Sequence, residues 1–531
     1  MHTPKHVRRW MGGVAATSAA VLVASSLSSA PTYAGPVGDS SAFRNAVTPE
    51  GIAQHLTALQ SIADVHDGTR ASGTEGYDQS VAYVVSRLRT AGYTPTVQTF
   101  EFPFFRENSP STLSQTSPDA TTYTNPDDFS SMTYSATGTV TDGAVVPVDT
   151  TVTPTDTSTS GCEASDFADF PTGSVALMQR GTCPFGDKVA NAQTAGAVAA
   201  IVFNRGTPGN EGSVAGTLGA PQSDPGIPAL GASFALGQDL SDPAGTTVNI
   251  TSDTESEIRD TYNVHAETPG GKAKNTIQAG AHLDSVVAGP GINDNGSGSA
   301  SLLEVAEAMA DVQPRNKVRF SWWGAEELGL LGSEHYVADL AANDPAALQR
   351  IVLYLNFDMV GSPNYVRFVY DGDNSAYPVG PGAAEGPTGS GQIEALFHNY
   401  FRSQDLASDE TPFSGRSDYG PFIAEGIPAG GLFTGAEGLK TAAQAAVYGG
   451  EAGVAYDHCY HQGCDTQGNV NMDAIDEMSD AMAHAVYTYA LNASSVTQAG
   501  TGGKAVRGSG TGELRRKAHD YDAPNHHAAR R

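Results

Sequence analysis

Three apolar segments in the middle of the chain each end in side chains that bind cations, and this feature limits the fold more than any other. The segments span 275–286, 318–332 and 351–361. Each begins with β-branched or aromatic residues, as a buried parallel strand does. Ligands of open α/β sheets bind outside the carboxyl ends of the strands. The sequence therefore predicts an α/β sheet with a cation-binding edge.

The side chains at these three ends are acidic or imidazole groups. They are His282 and Asp284 after the first segment, Glu326 and Glu327 after the second, and Asp358 after the third. Any one of them alone is more often a satisfied core histidine, a solvated helix start or a helix cap. Their occurrence at successive strand ends favours a shared site.

Two further residues complete a candidate ligand set. Asp294 lies in the glycine-rich stretch GINDNGSGSA, just before a predicted helix over 299–310, and from there its carboxylate can bridge two cations. His461 lies far along the chain in YDHCYHQGCDT. The predicted ligands are His282, Asp294, Glu327, Asp358 and His461. A mixture of imidazole and carboxylate is a common zinc environment.

The neighbouring carboxylates Glu326 and Glu327 suggest two different chemical roles. If both continue the strand, they point in different directions, so one can bind metal while the other moves protons. A different metal site is also open: His458, Cys459, His461 and Cys464 could form a small structural zinc site. Their spacing is tighter than that of zinc fingers.

The N-terminus has the pattern of an export signal over residues 1–34. Basic Lys5, Arg8 and Arg9 precede an apolar run over 12–27, with a small-residue cleavage site before Gly35. Arg8-Arg9 fits a twin-arginine signal only loosely. We therefore expect a secreted protein. The net charge of -29 argues against nucleic acid or an anionic membrane as partners.

Export places the 4 cysteines in an oxidising compartment, where disulfides form. Three connectivities are open. Proximity along the chain favours Cys162 with Cys183 and Cys459 with Cys464.

Composition divides the chain into segments. The signal is followed by a first α/β part over 35–132, a β-rich segment over 133–255 and a second α/β part over 256–495. Residues 110–142 are rich in Ser, Thr, Pro and Asp, which predicts a loop or boundary. The tail over 496–531 is Gly-rich and then basic, and is predicted to be disordered.

Several motifs resemble the secreted bacterial two-zinc aminopeptidases of the leucine aminopeptidase type. In order they are HLDS, NDNGSG, WGAEELGLLGS, NFDMVGS, GRSDYGPF, GGLFTGA and YDHCYHQGCDT, and the similarity covers about residues 50–105 and 260–492. The wider zinc peptidase group includes glutamate carboxypeptidase and the transferrin receptor. The resemblance implies a mixed, mostly parallel sheet flanked by helices. Residues 133–255 resemble an inserted protease-associated domain, with GSVALMQRGTCPFGDKVANAQTAGAVAAIVFN as the matching stretch.

The resemblance also implies a role for each candidate. One zinc ion would be held by His282, Asp294 and Asp358, and a second by Asp294, Glu327 and His461. Glu326 would be the general base acting on a zinc-bridging hydroxide, Tyr460 would stabilise the oxyanion, and Asp284 would orient His282. Arg416 would lie on the carboxyl side of the substrate, and Phe433 in the pocket for its N-terminal side chain. Asp476 and Asp480 match positions that bind calcium in relatives, although two carboxylates are too few for such a site.

The predicted function is hydrolysis of N-terminal, large apolar residues from peptides or proteins by a monomer with two zinc ions. A carboxypeptidase on the same scaffold is one alternative, but only Arg416 is available to hold a terminal carboxylate. A single-zinc cyclase would not need five ligands. A receptor-like binding protein without activity would tolerate lost ligands, yet ligands, base and oxyanion residue are all present here.

Overall fold

A computed structural model describes residues 39–223, 225–242 and 245–499. The predicted export signal and residues 500–531 of the predicted tail lie outside this part of the chain. Residues 496–499 lie inside it, and Val496 is only 3% exposed. Packed structure therefore continues past the predicted domain end at residue 495.

The described strands, in chain order, are β1 (Thr96–Ser117), β2 (Thr121–Thr122), β3 (Phe129–Ser131), β4 (Gly138–Pro147), β5 (Val175–Gln179), β6 (Ala199–Phe203), β7 (Ala229–Ala232), β8 (Thr247–Glu267), β9 (Lys272–His282), β10 (Asn316–Trp323), β11 (Ile351–Phe357), β12 (Phe368–Tyr370), β13 (Asp409–Thr411) and β14 (Ala429–Phe433).

The described α-helices are α1 (Ser41–Arg44), α2 (Pro49–Val65), α3 (Glu75–Thr90), α4 (Phe185–Thr194), α5 (Phe234–Ser241), α6 (Gly298–Met309), α7 (Leu331–Asn343), α8 (Pro345–Arg350), α9 (Ser390–Ser403), α10 (Gly420–Ala424), α11 (Ala442–Tyr448), α12 (Met472–Leu491) and α13 (Ser494–Thr497). The predicted helix over 299–310 corresponds to α6.

Four neighbouring parallel strands, in the order β10, β9, β11, β14, form the centre of the sheet. Antiparallel β8 borders β10, while β12 pairs antiparallel with β14 and parallel with the edge strand β13. The sheet is therefore mixed and mostly parallel at its centre, as predicted. All four central strands run the same way, so their carboxyl ends lie along one edge.

The two faces of this sheet have separate cores because side chains alternate along each strand. Trp322 of β10 packs in the core beneath α2, α3, α6, α9 and α12, whereas Trp323 packs with Tyr354 and Phe422 beneath α7, α8 and α10. At Gly280 of β9 a side chain would collide with the Tyr354 hydroxyl, because its Cβ would lie 2.4 Å from that oxygen.

A long two-stranded ribbon connects this sheet to a second, smaller one. β1 pairs antiparallel with β8 from Thr96 opposite His265 to Ser117 opposite Thr247. Past the ribbon, β4, β5, β6 and β7 form a parallel sheet with β3 at its edge. Two buried hydrophobic clusters pack against this sheet. The disulfide between Cys162 and Cys183 joins two of its connecting segments.

The predicted boundaries of the β-rich segment differ from the structure. The expected loop over 110–142 instead holds the second half of β1 and the strands β2 to β4, and Pro110 falls at an interruption of the β1–β8 pairing, where proline is tolerated. β3 pairs with β7, so the smaller sheet includes residues before 133. At its other end, β8 passes through residue 255 without a break.

The smaller sheet has a core of its own, so a cavity there should weaken it alone. Ile201 of β6 is fully buried, and Ile201→Ala should cost about 2–5 kcal/mol of stability, as buried large-to-small substitutions do. Hydrogen exchange should rise in β5, β6 and β7 and stay unchanged in β9, β10 and β11. Val198→Ala, at a residue that is 37% exposed, is the matched control. Faster exchange throughout the central strands would contradict separate cores.

Candidate metal centre

Three neighbouring strands of the central sheet bring the predicted residues to one edge. His282 is the last residue of β9, and Asp358 directly follows β11. Glu326 and Glu327 come shortly after β10 ends at Trp323. Because β9 lies between β10 and β11, His282 is at the middle of the group.

Asp294 lies between two histidines. It belongs to a buried, kinked turn, Ile292–Ser297, directly before α6, and its own backbone is not helical. Its Oδ1 is 3.3 Å from Nε2 of His282, and its Oδ2 is 3.1 Å from Nε2 of His461. One carboxylate therefore offers one oxygen to each side of the centre.

Each half of the centre has a further carboxylate. Asp358 Oδ1 is 3.2 Å from Nε2 of His282, and Glu327 Oε2 is 3.0 Å from Nε2 of His461. The structure thus groups His282, Asp294 and Asp358 on one side and His461, Asp294 and Glu327 on the other.

These two groups fit divalent cations. Within the described residues, no lysine or arginine forms an ion pair with Asp294, Glu327 or Asp358. Glu327 Oε1 is buried and has no hydrogen-bond partner. Buried carboxylates without a compensating charge are costly, and zinc suits a donor set of imidazole and carboxylate.

Burial and the nearby charges shift the pKa values of residues in this centre when no cation is bound. Burial opposes the charge of His461, but Glu327 and Asp294 outweigh it and raise its pKa to about 11. Burial, with a contribution from Asp294, raises the pKa of Glu327 to about 7. Metal binding must therefore displace protons from the imidazoles.

Glu326 and Glu327 diverge for a reason other than the predicted strand alternation. Both lie in a turn after β10, in which Ala325 has a φ of 53° and the backbone N–H of Leu330 donates to the carbonyl of Glu326 at 2.9 Å. The turn directs Glu327 to His461, whereas Glu326 Oε2 lies 3.9 Å from His282 Nε2. The prediction of strand-end alternation was wrong, although the two carboxylates do separate.

Burial raises the pKa of Glu326 well above its ordinary value. His282 opposes this shift, while Asp358 and Asp418 reinforce it. Positive charge bound nearby lowers a carboxyl pKa, so a cation here would act against the effect of burial. Glu326 therefore lies beside the ligands in an environment where a carboxyl can accept and return a proton.

Asp284 contacts the Nδ1 side of the His282 ring, whereas Asp294 and Asp358 lie near Nε2. Nδ1 of His282 is 3.1 Å from the Asp284 carbonyl oxygen and 3.6 Å from its Oδ1. The same Oδ1 accepts a hydrogen bond from the backbone N–H of Glu326 at 3.2 Å. Asp284 can therefore fix both the ring of His282 and the turn that carries Glu326.

The loop of His461 is fixed to the turn of Asp294 by contacts that the sequence did not predict. The Asp465 carboxylate accepts the backbone N–H groups of Asn293 and Asp294, each at 2.9 Å. Asp457 accepts from the Asn293 side chain at 2.6 Å. The predicted disulfide between Cys459 and Cys464 closes the same loop, which removes both thiols from the alternative structural zinc site.

Arg70 is a second residue that the sequence did not single out. It is fully buried and donates to three backbone carbonyls, those of Leu283 at 2.5 Å, Pro290 at 2.8 Å and Gly291 at 2.6 Å. These carbonyls lie between His282 and Asp294. Arg70 therefore shapes the loop that separates the two ligands, and its charge lies behind an anionic centre.

The predicted substrate residues lie beside the second half of the centre. The Tyr460 ring stacks on His461 with centroids 3.8 Å apart. Arg416 donates to the Tyr460 hydroxyl oxygen at 3.1 Å and to Glu437 at 2.8 Å. Burial and the nearby carboxylates raise the pKa of Tyr460 well above its ordinary value, so its hydroxyl stays protonated.

Two other residues complete the edge of the centre. Half-buried Phe433 ends β14 and packs against Phe368 with centroids 6.1 Å apart. Ser417, which the sequence did not indicate, donates to Asp358 Oδ2 at 2.7 Å and accepts from Asn356 at 2.7 Å. A short polar side chain in a loop carries no signal of such a contact until the fold is known.

The suggested calcium pair stays a prediction, and one of its two carboxylates already has other partners. Asp480 Oδ2 is 2.6 Å from Nη1 of Arg44, whose side chain is largely buried, and it also accepts from Tyr400 at 3.2 Å. Burial and nearby carboxylates, Asp480 first among them, raise the pKa of Asp476.

Comparisons with known proteins agree with this arrangement. Residues 263–486 match the sequence model of peptidase family M28, and residues 140–240 match that of the PA domain. A protein of Pseudomonas aeruginosa named "Aminopeptidase" is 48% identical over 432 residues, covering 81% of this chain and 79% of that protein. "Leucine aminopeptidase 2" of Trichophyton rubrum is 40% identical over 452 residues, covering 84% of this chain and 85% of that protein.

Solved structures show the same fold. The aminopeptidase from Aneurinibacillus sp. strain AM-1 superposes with a TM-score of 0.59 at 26% identity, covering 85% of this chain and 95% of that chain. A zinc aminopeptidase from Bacillus subtilis gives a TM-score of 0.54 at 23% identity, covering 83% of this chain and 94% of that chain.

Arg70 is expected to act on the centre through the backbone. Arg70→Met should keep much of the side-chain volume but remove the arginine donors from three buried carbonyls, of which that of Gly291 still accepts from the Gly296 N–H at 3.0 Å. We expect zinc affinity to fall about 10- to 100-fold, the usual range for residues that support metal ligands. Competition with a fluorescent chelator measures it. Arg89→Met on the outside of α3 is the control, and equal affinities of both variants would contradict the role of Arg70.

Proposed function

We propose that the metal centre of this chain holds two zinc ions. The chain belongs to peptidase family M28 and has an inserted PA domain. It is a zinc-dependent aminopeptidase that acts on peptides. The observation that carries the proposal is the position of Asp294, with one oxygen near each histidine. A carboxylate shared in this way is what a two-metal site requires.

We assign the ligands by these contacts. His282, Asp294 and Asp358 would hold one zinc ion, and Asp294, Glu327 and His461 the other. Zinc at such a site supplies Lewis-acid polarisation of a carbonyl and a water molecule that is acidic near neutral pH. The remaining steps fall to side chains of the protein.

Glu326 is proposed as the general base and acid. It lies next to His282 but farther from it than Asp294 and Asp358 do, so it can remain off the metals. It would take a proton from the attacking water and return it to the leaving amine, as a carboxylate placed beside the reacting atoms can. Glu326 and Asp358 would also attract the positively charged N-terminus of the substrate.

Tyr460 is proposed as the donor that stabilises the oxyanion. Arg416 donates to the hydroxyl oxygen of Tyr460, so the hydroxyl proton remains available to a substrate oxygen. Its raised pKa keeps that proton in place. A fixed donor beside developing negative charge lowers the barrier without reorganisation.

The preferred N-terminal side chain is proposed to be large and apolar. Phe433 at the end of β14 and Phe368 at the start of β12 stack against each other on the edge of the sheet that carries the centre. The name of the Trichophyton relative, leucine aminopeptidase, is consistent with such a preference. A carboxypeptidase would need an uncompensated cation, and Arg416 is already paired with Glu437.

We also propose that the protein is secreted. Both disulfides of the described residues have formed, which is the state expected in an oxidising compartment. None of the described helices is long and apolar enough to cross a membrane.

The secretion proposal predicts a trimmed protein in the culture medium. N-terminal sequencing of that protein should begin at Gly35, because the export signal is removed. Full-length chain beginning at Met1 and confined to the cytoplasm would contradict export.

The role of Glu326 is testable by one substitution. Glu326→Gln should retain both zinc ions but lose about 10²- to 10⁴-fold in kcat on a leucine p-nitroanilide substrate, because the amide cannot transfer the proton. Elemental analysis checks the metal content. Glu425→Gln, at an exposed residue, should match the unaltered enzyme.

Two results would count against the proposal. Unchanged turnover by Glu326→Gln would refute its role as base. Activity of the unaltered enzyme on substrates with a blocked N-terminus, with none on a free N-terminus, would refute the aminopeptidase assignment.

A further inference from the structure

A second group of metal-binding side chains lies on α9 and the edge strand β13. Glu394 and His398 are one turn apart on α9, and Glu410 is the middle residue of β13. Nε2 of His398 is 3.9 Å from Oε1 of Glu394 and 3.9 Å from Oε1 of Glu410. All three ligand atoms lie within 4.8 Å of one another.

The imidazole presents an unsatisfied nitrogen to this group. Nδ1 of His398 lies 2.8 Å from the Ser408 hydroxyl, whereas Nε2 is buried and has no hydrogen-bond partner. If Nδ1–H donates to Ser408, then Nε2 carries a lone pair directed between two carboxylates. Burial, with a smaller effect of Arg402, lowers the pKa of His398 and so favours this neutral ring.

Glu394 faces His398 with one of its two carboxylate oxygens. Its side chain is 9% exposed. Its Oε2 accepts the backbone N–H groups of Gly372 and Asp373 at 2.8 and 3.2 Å, while Oε1 lies 3.9 Å from Nε2 of His398. Burial of the carboxyl group, with a smaller effect of Asp373, raises the pKa of Glu394 to about 7.

The neighbouring carboxylates of Asp371 and Asp409 already accept hydrogen bonds, so we do not expect them to bind the metal ion. Asp371 accepts three backbone N–H groups, from Ser375, Ala376 and Tyr377. Asp409 accepts from the Tyr448 hydroxyl and the Gln444 side chain. These carboxylates are satisfied, yet their charge still makes the surroundings of His398 strongly attractive to a cation.

In a similar cluster elsewhere in the chain, the histidine Nε2 is also buried without a hydrogen-bond partner, but the carboxylates have other donors. His55, Glu304 and Glu307 also lie close together. There, however, Arg87 makes two hydrogen bonds to Glu307, and Thr48 donates to Glu304. Within the described residues, neither Glu394 nor Glu410 forms an ion pair with a lysine or arginine.

We propose that Glu394, His398 and Glu410 bind a divalent transition-metal ion, with zinc as the best match to one imidazole and two carboxylates. The site joins α9 to the edge strand β13 and does not depend on the two-zinc proposal for the catalytic centre. β13 leads directly into the loop that holds Arg416 and Ser417. The ion would therefore hold in place the loop that carries Arg416, which lies on the substrate side of the catalytic centre.

Zinc content of the full-length protein tests the proposal. The protein is dialysed against a chelator, reloaded with zinc chloride alone, freed of loosely bound metal and measured by elemental analysis. We expect His398→Gln to hold about one zinc ion fewer per chain than the unaltered protein, because its amide is a poor zinc ligand. Glu410→Gln, at a half-exposed position, should show the same loss with little risk to folding.

Glu307→Gln in the comparison cluster is the matched control and should hold as much zinc as the unaltered protein. Equal zinc content in the unaltered protein and both site variants would overturn the proposal, as would an equal loss in Glu307→Gln. Since only a difference between proteins is measured, the result does not depend on how many ions the catalytic centre holds. If the catalytic centre holds a number of zinc ions other than two, the zinc content per chain shifts by the same amount in every variant.

Discussion

The mutual repulsion of buried carboxylates at one edge of the sheet is the constraint on which the structure of the centre depends. Asp294, Glu326, Glu327 and Asp358 meet around two histidines without a lysine or arginine partner in the described chain. Two like charges about 4 Å apart repel by about 4 kcal/mol even at an effective dielectric of about 20. Such a group is stable only if cations or protons balance it, and the backbone must hold it in place.

Backbone contacts supply that support from several directions. Arg70 fixes the carbonyls between His282 and Asp294, while Asp465 fixes the amides of Asn293 and Asp294. The loop that carries Asp465 also carries His461 and is closed by a disulfide. The loop between the two ligands and the loop of the second histidine are therefore mutually dependent, which explains how Asp294 and His461, far apart in sequence, come to lie 3.1 Å apart.

Sequence patterns predicted the parts of this arrangement that are local. Apolar runs ending in acidic residues indicated β9, β10 and β11, and parallel strands bring such ends together by necessity. The turn after Trp323 was missed because an apolar strand pattern does not show where the strand stops. The second half of β1 was missed because its serines and Pro110 resemble a loop, while the pairing with β8 that holds it is long-range. Arg70 was missed because an isolated arginine in a polar turn resembles a surface residue, and only the fold places three carbonyls around it.

The central claim is that Asp294 bridges two zinc ions, and anomalous diffraction at the zinc absorption edge tests it most directly. Crystals of the zinc-loaded protein should show two peaks at this centre about 3.5–4 Å apart. One peak should lie among His282, Asp294 and Asp358, and the other among His461, Asp294 and Glu327. A single peak, or two peaks with Asp294 bound to neither or only one, would contradict the account.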